Sequence, residues 1–242
     1  MEKTELFVLG CPHSGTTRFA HLLNTNPDVC VGVERATSFL RRTNRLPKNL
    51  LQKEIFFTFE ECDAKRPDTS PIWKDFYDDL EARWDQARVV GDKLPSLFLF
   101  FPQVLEDFPE AKFISLSKNI YQVAQSWDRR TDLSGMNYKD GVKRWNRANI
   151  EVLKAIEDRP NNWLVVQVEK FFDGDISELR RVTDFLGVSL HPKMLEDFRK
   201  AARHYQENLK ESEASFITDA EKLDTIKAQA DFSAYERLLK YA

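Results

Sequence analysis

At 242 residues, with 42% apolar and 31% charged side chains, the chain is long enough for one large α/β domain and too apolar for a disordered one. Its formal charge of −3 supplies no global field for a nucleic-acid backbone, so no nucleic-acid partner is expected, although a local basic cleft for a small anion stays open. No apolar run reaches the roughly 18 residues of a membrane-spanning helix. The opening MEKTEL holds no signal-peptide core, and Cys11, Cys30 and Cys62 have neither metal spacing nor an even number to pair. The expectation is a cytoplasmic protein with no membrane and no metal.

The first element is the most informative. Leu6 to Leu9 is a short apolar run, and Gly10 and Gly15 bracket a loop that leads into helical spacing at Phe19, Leu22 and Leu23. A strand, a glycine-bounded turn and a helix make an anion site, because the first helical N–H groups are unpaired and carry the positive end of the helix dipole. Ser14, Thr16 and Thr17 add hydroxyl donors. The triphosphate form of this loop, GxxxxGK[ST], uses a lysine to reach the β and γ phosphates. Thr16 stands at that place, which points away from ATP and a small-molecule kinase and toward a nucleotide with a single phosphate on its 5′ side. Cys11, inside the loop, reads either as a thiol acidified by the anion site or as a small residue in a tight turn.

Further strands are expected at Val29 to Val31, Arg88 to Val90, Phe113 to Leu116 and Leu164 to Val168, alternating with amphipathic helical stretches. The fold class is therefore α/β: three layers, α/β/α, around a central parallel sheet, in a P-loop-containing nucleotide-binding fold. Ligands of such sheets bind beyond the carboxyl ends of the strands, which gathers residues 10–17, Glu34, Asp92, Lys93 and Lys118 around one crevice. Residues 35–87 form a long polar insertion that ends in an aromatic-rich helix near Ile72 to Trp84, and they are expected to wall the substrate site. The basic patch Arg35, Arg41, Arg42, Arg45 and Lys48 suits either an anionic substrate or a solvated helix face.

Val142, Trp145, Val152 and Ile156 mark a further helix, and FDGDISELRRVTDFLGV reads as a helix capped by Asp175 or Ser177 and closed by Gly187. The expected organisation is one domain over 1–200, carrying the insertion, with 201–242 as a helical C-terminal extension of it, loosely docked from His204 onward.

Several of these segments together carry a resemblance. PxSGTT after a strand, LLNTNPDV, GDKLP, KFISLSKNIYQVAQSW and the late VQVEKFFDGDISELRRVTDFLGV resemble the sulfotransferases that use 3′-phosphoadenosine 5′-phosphosulfate (PAPS), across roughly residues 5 to 190. The resemblance implies PAPS as co-substrate, no metal, and transfer of a sulfuryl group to a hydroxyl or amine of a small-molecule, glycan or peptide acceptor. It implies that Pro12, His13, Ser14, Gly15, Thr16 and Thr17 hold the 5′-phosphosulfate, and that Lys118 and Ser126 hold the 3′-phosphate. His13 stands where relatives place Lys or Arg, as an electrostatic stabiliser or general acid. Lys93 would add a cation at the transferring group, and Glu34 stands where the tyrosine-sulfating branch has its base. Asp92 is expected to pair with Lys93 structurally, and the alternative to Glu34 as base is an ion pair with Arg35, Arg41 or Arg42. The sequence departs from the family pattern at Lys118 in place of arginine, Ile120 and Tyr121 in place of proline and arginine, Val168 in place of tyrosine, and Arg18 in place of an adenine-stacking tryptophan. These departures keep a second reading open, a scaffold that binds 3′,5′-bisphosphoadenosine without turnover.

Overall fold

The computed structural model describes residues 3–63, 65–129, 135–213 and 219–242. Five strands, β1 (Thr4–Gly10), β2 (Val29–Val33), β3 (Val89–Lys93), β4 (Lys112–Ser117) and β5 (Trp163–Gln167), form one sheet in the order β2-β3-β1-β4-β5, with every pair parallel. The short apolar runs of the sequence are these strands, each longer or shifted by a few residues. Period-two alternation explains how one sheet feeds two cores. Leu6 and Val8 of β1 face one layer with Val31, Ile114 and Val166, while Phe7 and Leu9 face the other with Val90, Phe113 and Val165.

Strand register sets the site. Val8 of β1 and Val33 of β2 both lie opposite Lys93, the last residue of β3, and Ser117 of β4 lies opposite Gln167 of β5. The residues that follow these strands therefore leave the sheet along one edge. Helix α1 (Thr16–Leu23) returns β1 to β2 across the Leu6/Val8 face.

The insertion after β2 contains α2 (Thr37–Thr43), the single turn α3 (Lys53–Phe56) and α4 (Pro71–Arg83). Helix α4 starts where the sequence favours a start: Ser70 Oγ accepts from Trp73 N–H at 3.3 Å, with Pro71 in the first turn. Trp84, just past its end, stacks on Phe56 at 4.5 Å and is 2% exposed, and both rings lie in the core that holds Phe7 and Val90 of the sheet. A 3-10 turn over Pro95–Phe100 and α5 (Phe101–Asp107) lead into β4.

After β4 come α6 (Ile120–Asp128) and the long α7 (Tyr138–Asp158), which Asn137 and Asp140 start with a reciprocal capping box. Beyond β5 lie α8 (Val168–Phe171), α9 (Ile176–Leu186), α10 (Pro192–Glu213), α11 (Ala220–Gln229) and α12 (Phe232–Leu239). Asp175 is the cap of α9, and Gly187, at φ 71°, closes it. The last helices are not loosely docked. Ile226 of α11 and Leu238 of α12 are buried in the same core as Phe7 and Trp145, and Tyr235 lies 4.9 Å from the Trp145 ring. No helix among the described residues is long and apolar enough to cross a membrane.

Candidate active site

The loop after β1 is shaped by three left-handed residues: Gly10 (φ 153°), His13 (φ 75°) and Gly15 (φ 85°). A side chain at Gly10 is excluded, since a Cβ there would lie 2.5 Å from Leu116 O and 2.7 Å from Ser14 Oγ. Gly15 enters α1 without a side-chain cap, and no acidic residue stands in the first turn. The amides at the start of the helix are thus left for an anion.

Two clefts meet at this loop. The smaller, about 580 Å³, is lined by Arg18, Lys118, Gln122, Arg129, Phe172 and Tyr205 among others. The larger, about 930 Å³, has Glu34, Arg41, Lys65, Leu97, Phe100 and Trp127 on its walls. His13, Gly15 and Ser126 line both.

Of the loop residues singled out in the sequence, Pro12, His13, Gly15, Thr16 and Thr17 line the larger cleft. Ser14 lines neither: its side chain is fully buried with its hydroxyl unpartnered, and its N–H donates to Cys11 O at 3.0 Å. Cys11 is a packing residue, since burial pushes its thiol well above the ordinary range. His13 packs edge-on to Trp127 with ring centroids 5.2 Å apart.

On the smaller cleft, Lys118 leaves β4 with its backbone pinned. Its carbonyl accepts from Trp145 Nε1 at 2.8 Å, and the next residue, Asn119, donates its N–H to Glu169 Oε1 at 2.9 Å and caps α6. Burial pushes the Lys118 amine below its ordinary range, Glu169 acts in the opposite direction, and Arg18 adds to the lowering. Burial also raises the Glu169 carboxyl, against the Asn119 N–H that bonds it. Ser126 returns two turns later on α6, where its Oγ donates to Gln122 O at 2.9 Å. Among the described residues no group of three or more His, Cys, Asp or Glu side chains is arranged to hold a metal.

On the larger cleft, Glu34 follows β2 in a left-handed conformation, φ 60°. Lys93 Nζ lies 2.5 Å and Lys65 Nζ 3.0 Å from the same oxygen, Glu34 Oε1. Burial alone pushes this carboxyl up, but the two ammonium groups outweigh it and hold Glu34 below the usual carboxylate range. Burial lowers Lys93, which is itself fully buried and reaches the cleft only through Glu34.

Two pairings differ from expectation. Lys93 pairs with Glu34 rather than Asp92, whose carboxylate instead accepts the N–H groups of Arg35 at 3.2 Å and Ala36 at 2.9 Å. Most of the basic patch is structural: Arg35 pairs with Asp63 in the interior, Arg42 with Glu60, and Arg45 and Lys48 with Asp107. Only Arg41 of the five lines a cleft. Sequence reasoning missed Lys65, a lone lysine in an irregular stretch, and Tyr205, which the charged character of α10 conceals.

The glycine-bounded loop, shared by a basic cleft and a carboxylate-bearing one, agrees with the match of residues 5–192 to the model of the sulfotransferase family. The chain belongs to that family. Over 246 aligned positions it is 24% identical to a putative protein-tyrosine sulfotransferase of Caenorhabditis briggsae, covering 97% of this chain and 84% of that protein. The sulfotransferase domain from the curacin biosynthetic pathway shares the fold, with a TM-score of 0.56 and 18% identity over 81% of this chain and 78% of that one. So does a mouse sulfotransferase, SULT7A1, solved in complex with PAP, with a TM-score of 0.50 and 12% identity over 84% of this chain and 64% of that one. In this sulfotransferase the family match ends at residue 192, so Tyr205, Asn208 and Leu209, which close the smaller cleft, come from beyond it.

Proposed function

We propose that the protein transfers a sulfuryl group from PAPS to a hydroxyl, with the phenol of a tyrosine as the first acceptor to test because the curated relative is named for that acceptor. The observation that carries this reading is the loop shared between the clefts, with Lys118 on one side, Glu34 on the other and Ser126 on both. The smaller cleft would take the nucleotide: Lys118 and Ser126 toward the 3′-phosphate, Arg18 and Tyr205 beside the nucleoside. Pro12, Gly15, Thr16 and Thr17, with the amides at the start of α1, would receive the phosphosulfate, and Ser14 would support the loop from inside. The residues fit such a ligand chemically, because Lys118 is a half-buried cation on the wall of the smaller cleft and the helix start carries no cap.

In the transfer, the acceptor oxygen forms a bond to sulfur while the bond from sulfur to the oxygen bridging the 5′-phosphate breaks. The electron pair leaves on 3′,5′-bisphosphoadenosine, and the acceptor's proton goes to Glu34. An imidazolium at His13, on the edge common to both clefts, would stabilise charge developing on the leaving phosphate. Lys93 fixes Glu34 from behind. An amine acceptor would use the same geometry. The free thiols fit a reducing compartment such as the cytoplasm.

Calorimetric titration with 3′,5′-bisphosphoadenosine, ATP and AMP tests the nucleotide assignment, and the bisphosphate is expected to bind selectively. ATP binding and turnover in its place would select the kinase reading. Glu34→Gln is expected to lower the rate of transfer from PAPS to a tyrosine peptide by about 10²–10⁴-fold with bisphosphoadenosine affinity kept. Bisphosphoadenosine binding without transfer to peptide, phenol or amine acceptors would favour the inactive scaffold.

A further inference from the structure

Residues 34 and 35 are clasped by residues 63 and 65. The left-handed turn at Glu34 sends consecutive side chains apart: Glu34 into the acceptor cleft, 27% exposed, and Arg35 into the interior, with its side chain 0% exposed. Arg35 Nη1 meets Asp63 Oδ2 at 2.6 Å, its Nε donates to Phe56 O at 2.7 Å, and its Nη2 donates to Ile55 O and Thr58 O. Asp63 also accepts from Ser38 Oγ and from the N–H of Glu60, at 2.9 Å for the latter. Two residues beyond this anchored carboxylate, Lys65 Nζ reaches back to Glu34 Oε1 at 3.0 Å. The same ammonium lies 5.5 Å from the centroid of the Trp73 ring on α4.

We propose that Lys65 is a positioning residue for the transfer: held by the Arg35–Asp63 clasp and Trp73, it fixes the Glu34 carboxylate in the acceptor cleft and keeps it in the charged, proton-accepting form. The inference rests on Glu34 as the proton acceptor. A single buried lysine already balances Glu34, so a second ammonium on the same oxygen is not needed for charge neutrality. What it adds is orientation, with Oε1 occupied twice and the other carboxylate oxygen left for the acceptor hydroxyl. A solvated pair between flexible side chains is worth little. Here Asp63, two residues before the lysine, is held by a buried ion pair and the Trp73 ring lies against the ammonium, so part of the entropy of ordering the side chain is already met.

The other charged and titratable groups around Glu34 are few. Lys93 and Asp92 belong to β3, and Asp92 faces the amides of Arg35 and Ala36. His21 of α1 feels both Lys93 and Lys65, and the Tyr77 hydroxyl of α4 bonds the backbone of Val33. His13, Arg41 and Arg144 line the same cleft. The direction of the Glu34 shift agrees, since Lys65 is among the groups that lower it.

The test compares Lys65→Met and Lys65→Arg with the parent in the full chain. Glutamate side-chain carboxyls are labelled with ¹³C, and the Glu34 signal is assigned by its loss in Glu34→Gln. The titration midpoint of Glu34 is expected to move to higher pH in Lys65→Met and to return toward the parent in Lys65→Arg. An unmoved midpoint overturns the proposal, and Lys65→Gln replaces Lys65→Met if the latter does not fold. In transfer from PAPS to a tyrosine peptide, the acid limb of kcat/KM should shift to higher pH in Lys65→Met, with a loss of roughly fivefold at its acid end. A merely structural lesion would instead lower the whole profile by one factor. If Glu34→Gln turned over like the parent, the role of Glu34 would fail while the midpoint shift stayed readable. If Glu34→Gln were inactive and the midpoint did not move, the role of Lys65 alone would fail.

Discussion

The two clefts are built by different means. The smaller gathers residues from the ends of regular elements: the loop after β1, Lys118 after β4, Ser126 on α6, Val168 at the start of α8. The larger adds to strand-end residues, Glu34 after β2 and Lys93 of β3, a lysine from the insertion, Lys65. A site at strand ends is fixed by sheet register and survives local damage. A site assembled through an insertion depends on the contacts that dock it, above all the buried Arg35–Asp63 pair.

This contrast can be broken from the acceptor side first. Arg35→Ala leaves Asp63 as an uncompensated buried carboxylate and frees the residues that carry Lys65. It is expected to lower stability by about 3–5 kcal/mol, read as the shift in urea midpoint multiplied by the slope. Transfer should fall in this variant even at temperatures where bisphosphoadenosine still binds. Equal losses of binding and transfer would mean that the clefts are not separable.

From the donor side, Lys118→Met should weaken bisphosphoadenosine binding by roughly 10- to 100-fold, the range for a charge-assisted contact. Because burial already disfavours the ammonium of Lys118, the unliganded protein should not melt earlier. An unchanged affinity would remove Lys118 from the nucleotide site.

A further effect is one of pH. Burial raises the Asp92 carboxyl from 3.8 to about 7, against the two backbone amides that bond it. With the folded value above the unfolded one, its contribution to stability is complete below the unfolded value and is lost as pH rises through the folded one. The melting temperature of Asp92→Asn, relative to the parent, should therefore climb as pH increases from 3.8 to about 7, on top of a constant offset from the altered hydrogen bonds. A flat difference would show that Asp92 titrates as an ordinary exposed carboxylate.

The loop after β1 was legible in the sequence because its information is local. Gly10, Gly15 and the threonines lie within one turn and helix start, while Lys118 and Ser126 came from the family resemblance, with strand exit and helical pitch in agreement. The strands were legible for the same reason, as short apolar runs between amphipathic helices. Glu34 could be placed after its strand, but its partners could not, because Lys93 and Lys65 reach it through sheet pairing and a docked insertion. Arg35 misled in the same way: beside Arg41 and Arg42 it reads as part of a basic face, yet the turn at Glu34 buries it. Ser14 differs from its neighbours because the left-handed residues on either side turn it inward, and residue type alone does not show that.

Of the three non-glycine residues with positive φ among the described ones, two are His13 and Glu34, the side chains assigned to the chemistry. Each such residue carries a backbone penalty on the order of 1–3 kcal/mol, which glycine or asparagine would relieve. A screen of variants for heat resistance alone would be drawn to those positions and would discard function there. Thermal hardening of this scaffold should begin at surface helices instead, and hold both positions fixed.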